Sequence, residues 1–183
     1  DHSPNIITNS YIGSRFAIIK KKKISSIIKN NQIFVSIGSK PKKKYLNMIK
    51  LKISILKNYN FIIAPNMKMK NFFTLPNVEY CSESNYYKKF NSSSICITNG
   101  GLTLIEALYA KKICFTFPQN KYENNFINFL KKQNLVFGFN LDKINSLNFN
   151  EFLKIKKKLN NIVDGNGINR IRKIIKKLFY ENI

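Results

Sequence analysis

Apolar residues in this chain follow two rhythms that alternate along it. Short runs, Ile33-Phe34-Val35-Ser36-Ile37, Phe61-Ile62-Ile63-Ala64, Ile95-Cys96-Ile97 and Ile113-Cys114-Phe115-Thr116-Phe117, are nearly unbroken by polar residues. Each ends at a glycine, a proline or a polar turn. Runs of this kind predict strands buried on both faces. Between them the apolar positions recur every three or four residues. Tyr45, Met48, Ile49, Leu51, Ile53 and Leu56 predict a helix over about 42–57. The same rhythm predicts helices over Leu102–Lys111 and Glu123–Lys132. Two more close the chain, one with Phe149, Phe152, Ile155, Leu159 and Ile162 on a face, the other with Ile168, Ile171, Ile175 and Leu178. Weaker signals place short strands at Phe16–Ile19, Val78–Tyr80 and Leu135–Phe137, and a small helix at Asn85–Phe90.

Strands alternating with helices imply βαβ units, hence a parallel sheet flanked by helices in a single Rossmann-like α/β domain. Residues 1–31 read as an interdomain segment with a lead-in strand, and 32–183 as the α/β domain proper. In open sheets of this kind ligands bind beyond the carboxyl ends of the strands. Three turns should meet there: Gly38-Ser39, Asn99–Thr103, and Pro118–Asn125.

The turn after the Ile95 strand carries the clearest chemistry. Thr98-Asn99-Gly100-Gly101-Leu102-Thr103-Leu104-Ile105-Glu106 runs from a strand through paired glycines directly into a helix. Such a junction leaves backbone N–H groups free at a helix N-terminus, where glycine lets an anion approach closely. Glu106 lies about one turn further on, within reach of a sugar hydroxyl while the N–H groups hold phosphate. A tight strand-to-helix connection with no ligand has the same local pattern.

Composition narrows the classes. With 183 residues and 44% hydrophobic content the chain is long enough for a real core. No apolar run approaches the roughly 20 residues that span a bilayer, and the opening residues do not read as a basic-then-apolar leader. Cys81, Cys96 and Cys114 are odd in number and widely spaced, and His2 is the sole histidine. That argues against zinc and against a disulfide framework, and for a reducing, cytoplasmic setting. The net charge of +23 suggests nucleic acid or an anionic membrane surface at first sight. However, Lys, Asn, Ile, Phe and Tyr are all enriched and share AT-rich codons, and the Lys clusters are scattered. Arg is confined to Arg15, Arg170 and Arg172. The excess therefore reads as solvated Lys faces.

Four segments, in order, resemble the C-terminal nucleotide-binding half of GT-B enzymes with a family-28-type glycosyltransferase domain. They are similar above all to the UDP-sugar hydrolases of the pseudaminic acid pathway and their relatives in spore-coat polysaccharide synthesis. The segments are Tyr11–Ile19, Ile95–Leu108, Glu123-Asn124-Asn125 and Asp164–Ile171. The resemblance implies that Gly100, Gly101, Leu102 and Thr103 hold a diphosphate, that Glu106 takes the ribose hydroxyls, and that Asn124 and Asn125 face the sugar. Gly38, Ser39 and Asn99 complete the implied site. The first turn departs from the family, because Ile37-Gly38-Ser39-Lys40 lacks the usual acidic residue and offers Lys40 instead.

The resemblance also implies an N-terminal half carrying the catalytic base, a His beside a glycine-rich loop; His2 has no such surroundings. The expected function is the UDP-binding half of an enzyme hydrolysing a UDP-linked amino-deoxy sugar, inactive without its N-terminal partner domain. No metal or other cofactor is implied. Two other readings stay open: a UDP-N-acetylglucosamine-type glycosyltransferase in contact with an anionic membrane surface, and a basic nucleic-acid-binding module. The latter needs aromatic platforms among lysines, for which Tyr86-Tyr87-Lys88-Lys89-Phe90 is the one tight instance.

Overall fold

A computed structural model describes residues 17–19, 29–38, 41–65, 72–147, 149–159 and 163–180. The expected features at Tyr11–Phe16, Ser39, Lys40 and Ile162 lie outside these residues. In chain order the elements are β1 (Lys29–Ser36), α1 (Lys43–Ile55), β2 (Asn60–Ile63), β3 (Val78–Tyr80), α2 (Tyr86–Ser92) and β4 (Ser93–Asn99). They continue as α3 (Leu102–Tyr109), β5 (Ile113–Phe117), α4 (Lys121–Lys132), α5 (Lys143–Ser146), α6 (Phe149–Leu159) and α7 (Gly167–Tyr180).

The five strands form one parallel sheet in the order β3-β2-β1-β4-β5. Helices cover both faces, so every strand must be apolar on both, as the unbroken runs require. β5 is buried along its whole length and β4 at all but its last residue. One face carries Phe34, Ile62, Cys96 and Cys114 under α2, α3, α4 and α6. The other carries Ile33, Val35, Ile97 and Phe115 under α1 and α5. Cys96 and Cys114 are register partners, both free and fully buried; burial pushes the Cys96 thiol up to about 12.

Several boundaries differ from the sequence reading. Helix α4 begins at Lys121, two residues before Glu123, because the Asn120 side chain accepts the Glu123 N–H at 2.9 Å and caps the helix there. Residues 135–137 join the β5 edge through a single bridge, Phe137 to Phe115, with Phe137 N donating to Cys114 O at 2.8 Å. Ala17–Ile19 form no strand, although Ile19 packs against the core. The four-residue α5 is too short to show a period and was not expected.

The order of strands fixes where a crevice opens at the edge of the sheet. From β1 the chain winds outward through β2 and β3, then returns to place β4 on the opposite side of β1. The connections therefore diverge at β1 and β4 and leave a crevice beyond their carboxyl ends. Gly38 and Asn99 stand at that crevice.

Near the C-terminus, Asp164 organises the turn into α7. Its Oδ1 accepts the Asn166 N–H at 2.9 Å, and Arg170 donates to its two oxygens at 2.8 and 2.5 Å. Gly165 takes a φ of +71° there. The Arg170 pair and these hydrogen bonds hold the Asp164 carboxyl well below the usual carboxylate range. Its contribution to stability is thus complete above the unfolded-state pKa of about 4 and is lost as pH falls towards the lower folded value. Asp164→Asn should lower the thermal midpoint at pH 7, and the gap from wild type should narrow on acidification below about pH 4. Melting curves across pH check this; a gap that stays constant to pH 2 overturns it.

Candidate functional site

Helix α3 starts one residue after the paired glycines, with Gly101 as its N-cap in extended conformation and no side chain capping it. Leu104 N donates back to Gly101 O at 3.1 Å. Among the described residues no acceptor meets the N–H groups of Gly101, Leu102 and Thr103. These are the donors that a helix leaves unsatisfied at its start, and together with the helix dipole they favour an anion.

The preceding two residues are already occupied. Glu123 of α4 turns its carboxylate into the strand-to-helix junction, where Asn99 Nδ2 donates to Oε1 at 2.8 Å and Gly100 N to Oε2 at 3.2 Å. Gln119 N donates to the same Oε2 at 2.8 Å. A single carboxylate thus ties the β4–α3 turn to the β5–α4 loop. Its proximity also explains one of the glycines. A Cβ at position 100 would lie 2.8 Å from Glu123 Cβ and 3.1 Å from its Cα, a clash with a fixed helix. At position 101 the nearest atom is Asn99 Nδ2 at 3.3 Å, and nothing else lies closer than 4.0 Å. Gly100 is there for packing, whereas Gly101 fronts open space.

Gly38 closes the third side. Its φ is +73°, and a Cβ built there would stand 3.6 Å from both Asn99 Oδ1 and Gln119 Nε2. Gln119 spans the β1–α1 loop: its Nε2 donates to Ile37 O at 2.8 Å, while its Oε1 accepts from Lys42 N at 3.3 Å. The three turns expected to share a rim are in contact.

The individual side chains divide into groups. The Leu102 side chain is 60% exposed. Thr103 directs its hydroxyl inward, accepting from Ser36 Oγ at 3.4 Å and hydrogen-bonding Tyr86. Burial drives the Tyr86 hydroxyl far above its usual range. Glu106 is half-buried and accepts a hydrogen bond from the Tyr87 hydroxyl. A carboxylate has capacity for further donors beyond that one. Asn124 and Asn125 are exposed on α4; it is Glu123 that reaches the glycine turn. Tyr86 and Phe90 meet the Phe34 ring edge-on at 5.2 and 5.3 Å, and Phe90 is 3% exposed. These rings belong to the core and offer no stacking platform to a nucleic acid.

Glu123, Gln119, Tyr86 and Tyr87 take parts in this site that the sequence did not assign them, Glu123 having stood only in a segment of the resemblance and the two tyrosines only in a candidate stacking platform. A signal existed for the first, since Asn120-x-x-Glu123 is a capping-box spacing. Nothing local marks the others, whose roles come from tertiary contact.

No protein-family model matches the chain, and no curated protein matches it significantly. Solved structures do. A Listeria monocytogenes protein assigned as a UDP-N-acetylglucosamine 2-epimerase aligns with a TM-score of 0.58 at 14% identity, over 90% of this chain and 50% of that one. The glycosyltransferase SsfS6 of Streptomyces sp. SF2575, solved with thymidine diphosphate, gives 0.56 at 9% identity, over 87% and 47%. The UDP-GlcNAc 2-epimerase of Neisseria meningitidis bound to UDP-GlcNAc gives 0.53 at 14%, over 81% and 44%. The chain spans about half the length of each. At these identities the likeness is one of fold: a Rossmann-like α/β domain of the GT-B kind.

The two glycines should respond differently to substitution. Gly100→Ala forces Glu123 and α4 to move and should cost roughly 1–3 kcal/mol of stability, as overpacking does. Gly101→Ala meets only a side-chain terminus and should stay within about 0.5 kcal/mol of wild type. Denaturant titration distinguishes them, and equal losses would refute the assignment.

Proposed function

We propose that this chain is the nucleotide-binding half of a nucleotide-sugar enzyme, holding UDP at the β1–β4 crevice. The observation that carries the reading is the set of three N–H groups at Gly101, Leu102 and Thr103 with no acceptor among the described residues, at the point where the strand order diverges. In this reading they take the diphosphate, and Gly38 borders it. Asn99 and Gly100 hold the turn in shape through Glu123. Glu106 binds the ribose hydroxyls with the carboxylate capacity that Tyr87 leaves free. Asn124 and Asn125 are available to the sugar from the exposed face of α4.

The reaction we favour is hydrolysis of a UDP-linked amino-deoxy sugar. Water attacks the anomeric carbon, the glycosidic C–O bond breaks, and UDP departs carrying the bonding electrons. The contribution of this half is electrostatic. Aligned N–H dipoles meet the negative charge that builds on the diphosphate as it leaves, with no reorganisation required at that moment. The base that activates water belongs, in this reading, to an N-terminal half. Transfer to an acceptor hydroxyl instead of water uses the same donor site; the fold shared with SsfS6 is what favours keeping that second reading.

Calorimetric titration with UDP tests the site. Binding should weaken about 10- to 100-fold in Glu106→Ala, the loss expected for hydrogen bonds to a charged group. Gly101→Val should abolish detectable binding by filling the phosphate space. Unchanged affinity in both variants would remove the crevice from consideration.

A further inference from the structure

A second concavity lies on the flank of the domain, beyond the β5 edge, and shares no lining residue with the glycine turn. Its volume is about 680 Å³, within the range of small-molecule sites. We propose that it binds a small phosphorylated molecule with an apolar body.

The walls come from separate elements. Helix α6 presents Glu151, Lys154, Ile155 and Lys158, which share a face because they are spaced by three and four. Lys131 enters from the end of α4, and Lys143 from the start of α5. Four lysines and one acidic residue therefore line the same concavity. No salt bridge among the described residues engages any of the four lysines. Like charges gathered in a concavity repel one another and raise the local affinity for an anion. The opposite wall is apolar, with Val136 buried and Phe137 half-buried. Lys143 Nζ stands 5.4 Å from the centroid of the Phe137 ring, so charge and aromatic surface are juxtaposed. Gly138 belongs to the same arrangement: a Cβ there would lie 3.2 Å from Lys131 Nζ and 3.4 Å from its Cε. The missing side chain leaves room for the Lys131 side chain along this wall.

Phosphate accepts charge-assisted hydrogen bonds from several ammonium groups at once. A bare anion leaves the half-buried Phe137 and Phe139 rings of the lining wet, whereas a ligand carrying an apolar body covers them. Both halves of the cavity are used only by a molecule with both characters.

The test is a titration of the nitrogen-15-labelled chain with phenyl phosphate, with inorganic phosphate as comparison, at physiological ionic strength. Shifts should be confined to residues 131–143 and 151–158, and phenyl phosphate should bind at least about fivefold more tightly than phosphate. Lys154→Glu with Lys158→Glu should weaken phenyl phosphate about tenfold or more. Lys176→Glu with Lys177→Glu makes the same charge change on exposed positions of α7 and should leave affinity within about twofold. Lys131→Glu, on a different element, provides the equivalent loss if the α6 variant does not fold. Shifts scattered over lysines generally, equal affinity for the two ligands, or equal losses in the α6 and α7 variants would overturn the proposal.

Discussion

The geometry of the crevice depends on one carboxylate. Glu123 accepts hydrogen bonds from Asn99, Gly100 and Gln119, joining two turns separated by about 20 residues of sequence. Hydrogen bonds to a charged group contribute about 1.5–3 kcal/mol each, so three on one group form a strong junction. Glu123 is itself fixed by the Asn120 cap at the start of α4. The order of α4 is thereby imposed on the turn that opens α3. Glu123 takes the first N–H of that turn, at Gly100, and the following three have no acceptor among the described residues.

This dependence explains why the fold was more legible than the site. Strands buried on both faces announce themselves locally: Ile33–Ile37 and Ile113–Phe117 have no polar side that could blur the pattern. The shape of the glycine turn was legible as well, because consecutive residues place its open backbone N–H groups. Glu123, Gln119 and Tyr87 act across turns that meet only when the sheet has formed. Nothing in the neighbourhood of Tyr87 points to Glu106, and the approach of α2 to α3 supplies that pairing. The α4 boundary shows the same limit on a smaller scale. An apolar period locates the first buried residue of a helix, whereas the cap sets its first residue.

The high positive charge separates into distinct roles once the structure is in view. Many lysines are exposed, as their scatter suggested, and surface positions of that kind are tolerated with little energetic effect. Lys112 is different. It is 3% exposed, donates to Ser93 O at 2.5 Å and to Asn91 O at 3.4 Å, and stands 4.6 Å from the centre of the Phe90 ring. A buried ammonium is tolerable only with such partners. Composition alone treats Lys112 and Lys176 alike; their surroundings do not.

The rim of the sheet marks a change in what its residues do. Ser36, Thr98 and Thr116 are register partners across β1, β4 and β5, each near the carboxyl end of its strand. Below that row the strand interiors are apolar. Above it come Gly38, Asn99 and the open N–H groups of α3. Two of the hydroxyls have protein partners: Ser36 donates to Thr103, and Thr116 to Phe137 O at 2.9 Å. Thr98 Oγ1 is buried with no partner among the described residues. A buried unpaired hydroxyl costs about 1–3 kcal/mol, a penalty that valine, of nearly the same shape, would not incur. Polar residues retained at this cost lie directly before the turn proposed to bind phosphate. Local stability and the polarity of the rim thus compete at Thr98, and the sheet gives up a little of the first where the chain turns from building a core to presenting donors.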